Sequence, residues 1–560
     1  MTPPAPRVVP FGDRALLVTT GDVASAHALA RRVAGADPAD APATVDEVVV
    51  GFACVLVVLD DEADPDAGTD LDGATGWLAR LAAGSPGGDP PTASPTTHVL
   101  PTSFGGPDLD EVAGVTGLTV DAVVDLLVGA DLEVAFVGFA PGFPYLTGLP
   151  EALAALPRRA TPRTSVPAGS VAVAGGFASV YPRATPGGWN LLGRTTTPLF
   201  DPHHPPYALV SPGDRVRFVA VPSPPVASPV DAPRALLGDD DRPALVVVEP
   251  GLLDLVQDAG RPGSAAWGVP RAGAADPHAL GLVNLLLGNH PGAAGLEVTG
   301  SGPRLRVVGD AHVAVVGAAP GSVEVAVDGR PVPDAAVVPV GDGQEVSVGR
   351  VRHGLRAYLG VAGGLATPVL LGSRSSDLLS GLGPGRLRAG DRLARGTPGR
   401  VRGALAHRQA TSAGVTLLRV LPGPHVPASG PGSDAVDRLT ATSWQVGAHV
   451  DRVGVHLEPT AGPGPGGSAP VRSTPMVTGA VQLPPDGRPI VLLPDHATVG
   501  GYPVVACVIA ADLALLGQLA PGDAVVFVAV DRPEADVARR HRRQVRAAAV
   551  TGWFPTAAGT

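Results

Sequence analysis

Apolar positions along this chain fall mostly in short runs bounded by Gly, Pro and Asp, the spacing of strands rather than of long amphipathic helices. Residues 1–95 mix strand-like runs at 15–18 and 54–59 with helical stretches over 23–33 and 74–83, which predicts a small α/β domain. From His98 to about Val221 short apolar runs alternate with turn clusters, interrupted by helices expected at 108–115 and 120–128; this pattern predicts a β-barrel with a few helices. The acidic, Gly- and Pro-rich stretches 60–73 and 85–95 read as loops, and 222–241, rich in Pro, Ser and then Asp, reads as an interdomain linker. The fold class is therefore mainly β with a small α/β N-terminal domain.

An internal echo extends the barrel reading to the second half. Ser211-Pro212-Gly213-Asp214 feeds a strand-like run, and so does Ala520-Pro521-Gly522-Asp523. Each follows a Gly-Gly-aromatic corner, Gly187-Gly188-Trp189 in one case and Gly500-Gly501-Tyr502 in the other. A shorter cousin, Arg388-Ala389-Gly390-Asp391, lies between them, so three related barrels are expected.

Composition narrows the function. With 560 residues the chain has room for about three or four domains. Residues 1–7 lack a charged-then-apolar signal organisation and no apolar run approaches the roughly 20 residues that span a bilayer, so a soluble, cytoplasmic protein is expected. Cys54 and Cys507 have no metal-type spacing and read as buried thiols. A net charge of -11 speaks against nucleic acid as a partner. The chain contains no lysine, which excludes a biotinyl-lysine carrier, a Schiff-base lysine and a P-loop lysine within it. Arginine, backbone amides or a metal must then hold any carboxylate or phosphate. The basic tail, with Arg539, Arg540, His541, Arg542, Arg543 and Arg546, is expected to form a solvated surface helix.

The densest chemistry sits on glycine corners. Gly138-Phe139-Ala140-Pro141-Gly142-Phe143-Pro144-Tyr145-Leu146 sets two glycines and two prolines among three aromatics, giving either a turn that plugs the core or a ligand-lining loop. Gly142, Phe143 and Tyr145 are its candidate contacts. Trp189, Asn190 and Arg194 form a second corner able to clamp a carboxylate. Asp495, His496 and Thr498 precede Gly500-Gly501-Tyr502, placing a carboxylate, an imidazole and a hydroxyl beside exposed amides that could polarise a small amide. Asp258 and Arg261 are spaced to pair across a turn, and Glu297 follows a strand-like run; an ion pair serves structure as readily as catalysis. Asp201-Pro202-His203-His204-Pro205 suits a surface loop better than a metal site, Gly462–Gly467 lacks the strand-to-helix setting of a dinucleotide loop, and no nucleophile elbow accompanies the serines. No residue stands out as a metal ligand.

These corners, together with Ser165–Val173, 268–276, 284–289, 354–364 and 371–375, occur in an order that resembles two known families joined head to tail. Residues up to about Val221 resemble the B component of the bacterial biotin-independent 5-oxoprolinase, the KipI or allophanate hydrolase subunit 1 type. Residues from about Ala244 to Val530 resemble its C component, the KipA or allophanate hydrolase subunit 2 type. Both are related to the carboxyltransferase region of urea carboxylase. The resemblance implies cyclophilin-like barrels over 96–221, 244–415 and 416–530, with 1–95 as the N-terminal domain, 222–243 as linker and 531–560 as basic tail. It further implies opening of 5-oxo-L-proline to L-glutamate with ATP and Mg²⁺, alongside a separate 5-oxoprolinase protein of the A type, and it allows a homo-oligomer. Carboxyl transfer to urea or a related amide, with biotin carried on another chain, and inhibition of a sensor histidine kinase are the alternatives. The chain departs from the family pattern at Leu126-Leu127, before Tyr181-Pro182, and at His496 and Val499.

Overall fold

Two seven-stranded barrels close on themselves with the same wiring. The first uses Thr97–Phe104, Leu132–Val137, Pro144–Thr147, Ser170–Ala174, Phe177–Val180, Asn190–Thr195 and Arg215–Ala220. The second uses Val415–Pro422, Trp444–Val450, Gly454–Pro459, Ala480–Gln482, Ile490–Leu492, Val504–Val508 and Ala524–Ala529. In each, the last strand runs parallel to the first and shuts the barrel. Each also carries a two-stranded ribbon, Arg163–Val166 with Thr185–Gly187 and Thr474–Pro475 with Val499–Gly500. The structure is a computed structural model describing residues 5–60, 70–84, 94–222, 236–237, 243–401, 414–427, 429, 432–462, 466–469 and 471–551, with side chains to residue 545. Most of the expected linker, and parts of the loops at 60–73, 85–95 and 462–467, lie outside the described residues.

Strand alternation explains the barrel cores. In Arg215–Ala220, Val216 and Phe218 point inward while the arginines face water, and Val525 and Phe527 do the same in Ala524–Ala529. The helices expected at 108–115 and 120–128 form as Leu109–Thr116 and Val120–Val128. The N-terminal sheet, Arg7–Pro10, Ala15–Thr19, Cys54–Leu59 and Val45–Gly51 in that order, packs on helices Val23–Gly35 and Leu71–Ala83. The second helix starts three residues earlier than its apolar pattern because the Asp70 carboxylate caps it, accepting from the Gly73 amide at 2.8 Å.

The middle block departs from the expected third barrel. It forms a six-stranded and a five-stranded sheet that share one core of Leu245, Val256, Leu296, Leu305, Val346 and Leu359, among others. Its Gly390-Asp391 turn feeds Arg392–Ala394, which pairs antiparallel with Pro243–Glu249. The same turn in the barrels feeds the parallel closing strand. Local turn chemistry repeats three times, whereas ring closure depends on a long-range pairing that occurs twice.

The basic tail forms helix Arg532–Thr551, and it is not a solvated surface helix throughout. Ala535 and Ala538 are buried, and so is Arg539, whose Nη1 donates to the Asp13 carbonyl at 3.2 Å. Arg532 reaches Asp72 at 2.7 Å, so the end of the chain is strapped to the N-terminal domain.

The middle block and second barrel are joined by a buried ionic clamp. Arg452 donates through Nη1 to Glu297 at 2.6 Å and through Nε and Nη2 to both oxygens of Asp495 at 2.8 Å. Glu297 also accepts from the Tyr358 hydroxyl at 2.7 Å and the Ala275 amide at 2.9 Å. Arg356, beside Glu297, donates to the carbonyls of Gly517 and Asp451 at 2.6 and 3.1 Å. Burial pushes Glu297 up, but Arg452 and Arg356 outweigh it and hold the carboxyl below its ordinary value. Burial likewise opposes the charge on Arg452, which its two carboxylate partners overcome.

Removing one member of such a clamp strands the others in a low-dielectric interior. Arg452→Met is expected to cost about 3–5 kcal/mol by urea unfolding, and the combined Arg452→Met, Glu297→Gln, Asp495→Asn variant to recover most of that loss. Asp254 provides a test by pH. Its Oδ2 accepts from the Gly251 amide at 2.5 Å, its Oδ1 has no partner among the described residues, and burial pushes its carboxyl from 3.8 up to about 6. The folded chain thus keeps this proton where the unfolded chain has lost it, and stability falls as pH rises through that window. Asp254→Asn, which preserves the acceptor, should match the parent below about pH 4 and exceed it above about pH 6 by up to about 3 kcal/mol in urea midpoints.

Candidate functional site

The loop 138–143 bridges strands Leu132–Val137 and Pro144–Thr147 and lies on the seam between the two halves of the chain. It folds back on itself, with the Gly138 amide donating to the Phe143 carbonyl at 3.1 Å and the Phe143 amide to Ala140 at 3.0 Å. Gly142 has φ +74°, and a Cβ there would lie 2.7 Å from the Leu199 carbonyl oxygen, so only glycine fits. Its amide crosses the seam to the Trp267 carbonyl at 2.8 Å. A Cβ on Gly138 would meet Val499 of the second barrel at 2.7 Å. Phe143, Tyr145 and Trp189 pack edge to face with one another, and Phe143 also with Tyr181, in a buried cluster that also takes in Val499. The aromatics therefore plug a core while the loop backbone seals the seam. Burial pushes the Tyr145 phenol up to about 12, which keeps it protonated at neutral pH.

Beside this seal lies a group of buried polar atoms without partners. Asp258 and Arg261 do not pair across their turn as expected. Asp258 accepts from the hydroxyls of Ser373 and Ser375 at 2.6 and 2.5 Å and from the amides of Gly260 and Arg374 at 2.8 and 2.6 Å. Arg261 is fully buried and donates through Nη2 to the Ser375 carbonyl, leaving Nε and Nη1 with no partner among the described residues. Burial lowers its pKa, and Asp377, Asp258 and Asp495 resist that fall. Asp377 Oδ2, the Ser380 hydroxyl, the Thr498 hydroxyl and Arg183 Nη1 are also buried without partners among the described residues. Arg183 belongs to the first barrel, yet its guanidinium abuts Gly381 of the second half, where a Cβ would lie 2.7 Å away.

The remaining candidates sort by what holds them. Glu297 and Asp495 belong to the clamp. Burial pushes Asp495 up to about 7 against the pull of Arg452, with Asp377 and Glu297 adding to the rise, so this carboxyl titrates near neutral pH. Burial lowers His496, whose Nδ1 donates to the Ala497 carbonyl at 2.8 Å, leaving a neutral imidazole. His496, Thr498 and Asp258 line a cavity of about 450 Å³ that also touches Asp13, Glu47 and Arg271. A Cβ on Gly500 would collide with Gln482, and at Gly501 one would sit 3.9 Å from Arg158. Tyr502, the counterpart of buried Trp189, is exposed. Asn190 and Arg194 do not form a clamp: the Asn190 amide is committed to the Pro157 and Val173 carbonyls, and Arg194 is exposed and caps Ala168. His204 pairs with Asp201 on an exposed loop, and both cysteines are buried thiols.

Sequence reading missed Arg183, Asp377, Arg356 and Arg452. Asp377 stands two positions beyond the Gly372-Ser373-Arg374-Ser375 motif, and Arg183 follows the Tyr181-Pro182 pair, so both had local signals. Among the described residues no three His, Cys, Asp or Glu side chains converge to hold a metal ion, and no helix is long and apolar enough to cross a membrane.

Comparison with known proteins fits this geometry. Residues 6–210 match the family described as carboxyltransferase domain, subdomain C and D, and residues 267–529 match subdomain A and B. The chain is 34% identical to the 5-oxoprolinase C component of Escherichia coli (strain K12) over 317 residues, 54% of this chain and 96% of that protein. It is 55% identical to the 5-oxoprolinase B component of Escherichia coli O157:H7 over 115 residues, 20% of this chain and about half, 52%, of that protein. The crystal structure of TTHA0988 superposes with a TM-score of 0.80 at 36% identity, covering 92% of this chain and 99% of that one. The chain belongs to the carboxyltransferase-domain family of the 5-oxoprolinase B and C components, with the B-type module preceding the C-type module in one polypeptide.

Proposed function

We propose that this chain is the fused B and C component of a biotin-independent 5-oxoprolinase, opening 5-oxo-L-proline to L-glutamate with ATP and a separate partner protein of the A type. The observation that carries this reading is Arg261, a buried guanidinium with two N–H groups unpartnered among the described residues and sharing the field of Asp377 with Arg183 of the first module. Nε and Nη1 lie on different edges of the guanidinium, and each can donate one charge-assisted hydrogen bond to an acceptor such as a carboxylate oxygen.

The five-membered lactam is resonance-stabilised and close to strain-free, so its hydrolysis needs coupling to ATP. Phosphoryl transfer to the lactam oxygen makes the ring carbon electrophilic, and water then adds. The C–N bond breaks as the ring nitrogen takes a proton, and a second water displaces phosphate from the acyl phosphate that remains. In this scheme Arg261 anchors the substrate carboxylate. The proton that the departing nitrogen takes is the one given up by the water that adds, while Asp495, held through both oxygens by Arg452, contributes to the field at Arg261. ATP and Mg²⁺ enter through the family resemblance; the described residues offer no converged ligand set for the metal, and no step is derived through it. Carboxyl transfer to urea ranks second, since the family description favours it, but urea brings no carboxylate to Arg261.

Mixing the purified chain with a purified A-type partner, Mg·ATP and 5-oxo-L-proline should release glutamate and phosphate only when both proteins are present. Arg261→Gln should lower kcat/KM by about 100-fold while leaving partner binding intact. No turnover from a folded partner shown to bind would sink the reading and favour carboxybiotin-dependent chemistry.

A further inference from the structure

Asp377 sits on a tightly determined loop. Its amide donates to the Leu382 carbonyl at 2.9 Å and its own carbonyl accepts from the Leu382 amide at 3.1 Å. Its Oδ1 caps the amides of Leu379 and Ser380 at 3.0 and 3.2 Å. Just beyond, a Cβ on Gly383 would clash with the Ser375 carbonyl, the same carbonyl that receives Arg261 Nη2. One loop therefore fixes both the Arg261 guanidinium and the Asp377 carboxyl. Oδ2 is left over: Asp377 is fully buried, among the described residues that oxygen has no hydrogen-bond partner, and Asp377 acts on Arg261 and Arg183 through space without forming an ion pair with either. Leaving separate charges of both signs dry, with no hydrogen-bonded counter-group, is unfavourable for each. A ligand that offers an acceptor to the arginine and a donor to the aspartate removes that cost from both at once.

We infer that Asp377 reads an N–H donor next to the ligand carboxylate, so that the site takes an α-(acylamino) acid, cyclic or open, with Arg261 on the carboxylate and Asp377 Oδ2 on the amide N–H. Arg183 closes the site from the first barrel against Gly381, and the unpartnered Ser380 hydroxyl supplies a further polar contact. The inference rests on the proposed reaction only for naming 5-oxo-L-proline as the cyclic member. It assigns Asp377 to substrate recognition and makes N–H, alongside carboxylate, a requirement for binding.

Isothermal titration of the full chain with five probes tests this: 5-oxo-L-proline, its N-methyl derivative, its primary carboxamide, N-acetylglycine and N-acetyl-N-methylglycine. The wild-type chain should bind 5-oxo-L-proline and lose about 10- to 100-fold with either the N-methyl or the carboxamide derivative. Asp377→Asn keeps the Oδ1 cap and replaces the acceptor by a donor; it should bind the parent about 10- to 100-fold more weakly and no longer distinguish it from the N-methyl derivative. Unchanged affinity and discrimination in a folded Asp377→Asn chain would overturn the inference while leaving the proposed reaction standing. If that variant fails to fold, the wild-type ligand series decides, since equal binding of the parent and N-methyl derivative also overturns it. A chain that ignores 5-oxo-L-proline but binds N-acetylglycine with loss on N-methylation would sink the reaction and keep the inference, and a chain that binds neither would sink both.

Discussion

The three-membered clamp of Glu297, Arg452 and Asp495 fixes how the second half is assembled, because each partner is buried and each comes from a different part of the chain. A surface ion pair of the same length would be worth little. Here the desolvation cost of each charge is met only when the middle block and the second barrel dock in one register, so the clamp acts as a positional lock more than as a source of net stability. Supporting groups complete it. Tyr358 donates to Glu297, and Gln518 accepts from the Arg356 amide while donating to Asp276, the cap of helix Pro277–Leu286. Arg261 lies within electrostatic reach of this lock through Asp495.

Duplication without identity is the second theme. The two barrels share strand order, ribbon and closing pair, and the same corner that holds Trp189 in one holds Tyr502 in the other. Their neighbours make them different. The first corner is packed into an aromatic cluster, while the second turns its tyrosine to solvent and spends the preceding Asp495 on the clamp. Thr185 and Thr498, each two residues before a glycine of the corner, both keep a buried hydroxyl without a partner among the described residues.

How much of this was legible follows from the range of each interaction. The mainly β character, the N-terminal α/β domain and the barrel repeats were readable because strand alternation and Pro-Gly-Asp turns are local. The open middle block was not, since its turn is the same and only the distant pairing differs. Asp495 stood out by its corner, but Arg452, 43 positions before it and 155 after Glu297, has no pattern linking it to either. Arg261 was visible as a residue, whereas its two unmet N–H groups depend on what the fold withholds from it. The tail misled because its many arginines suggest solvent, and burial of Arg539 requires knowing that Asp13 lies underneath.

The strap between the last helix and the first domain also bears on concentration. Asp13 near the start of the chain receives the Ala510 amide from the second barrel, and its carbonyl receives Arg539. Both contacts would form between separate proteins if the modules were encoded apart, and such an assembly would come apart on dilution. On one polypeptide they become intramolecular, with an effective concentration set by the tether and independent of how much protein is present. The seam that holds Arg183 against Gly381 then stays closed at protein levels where two independent modules would drift apart.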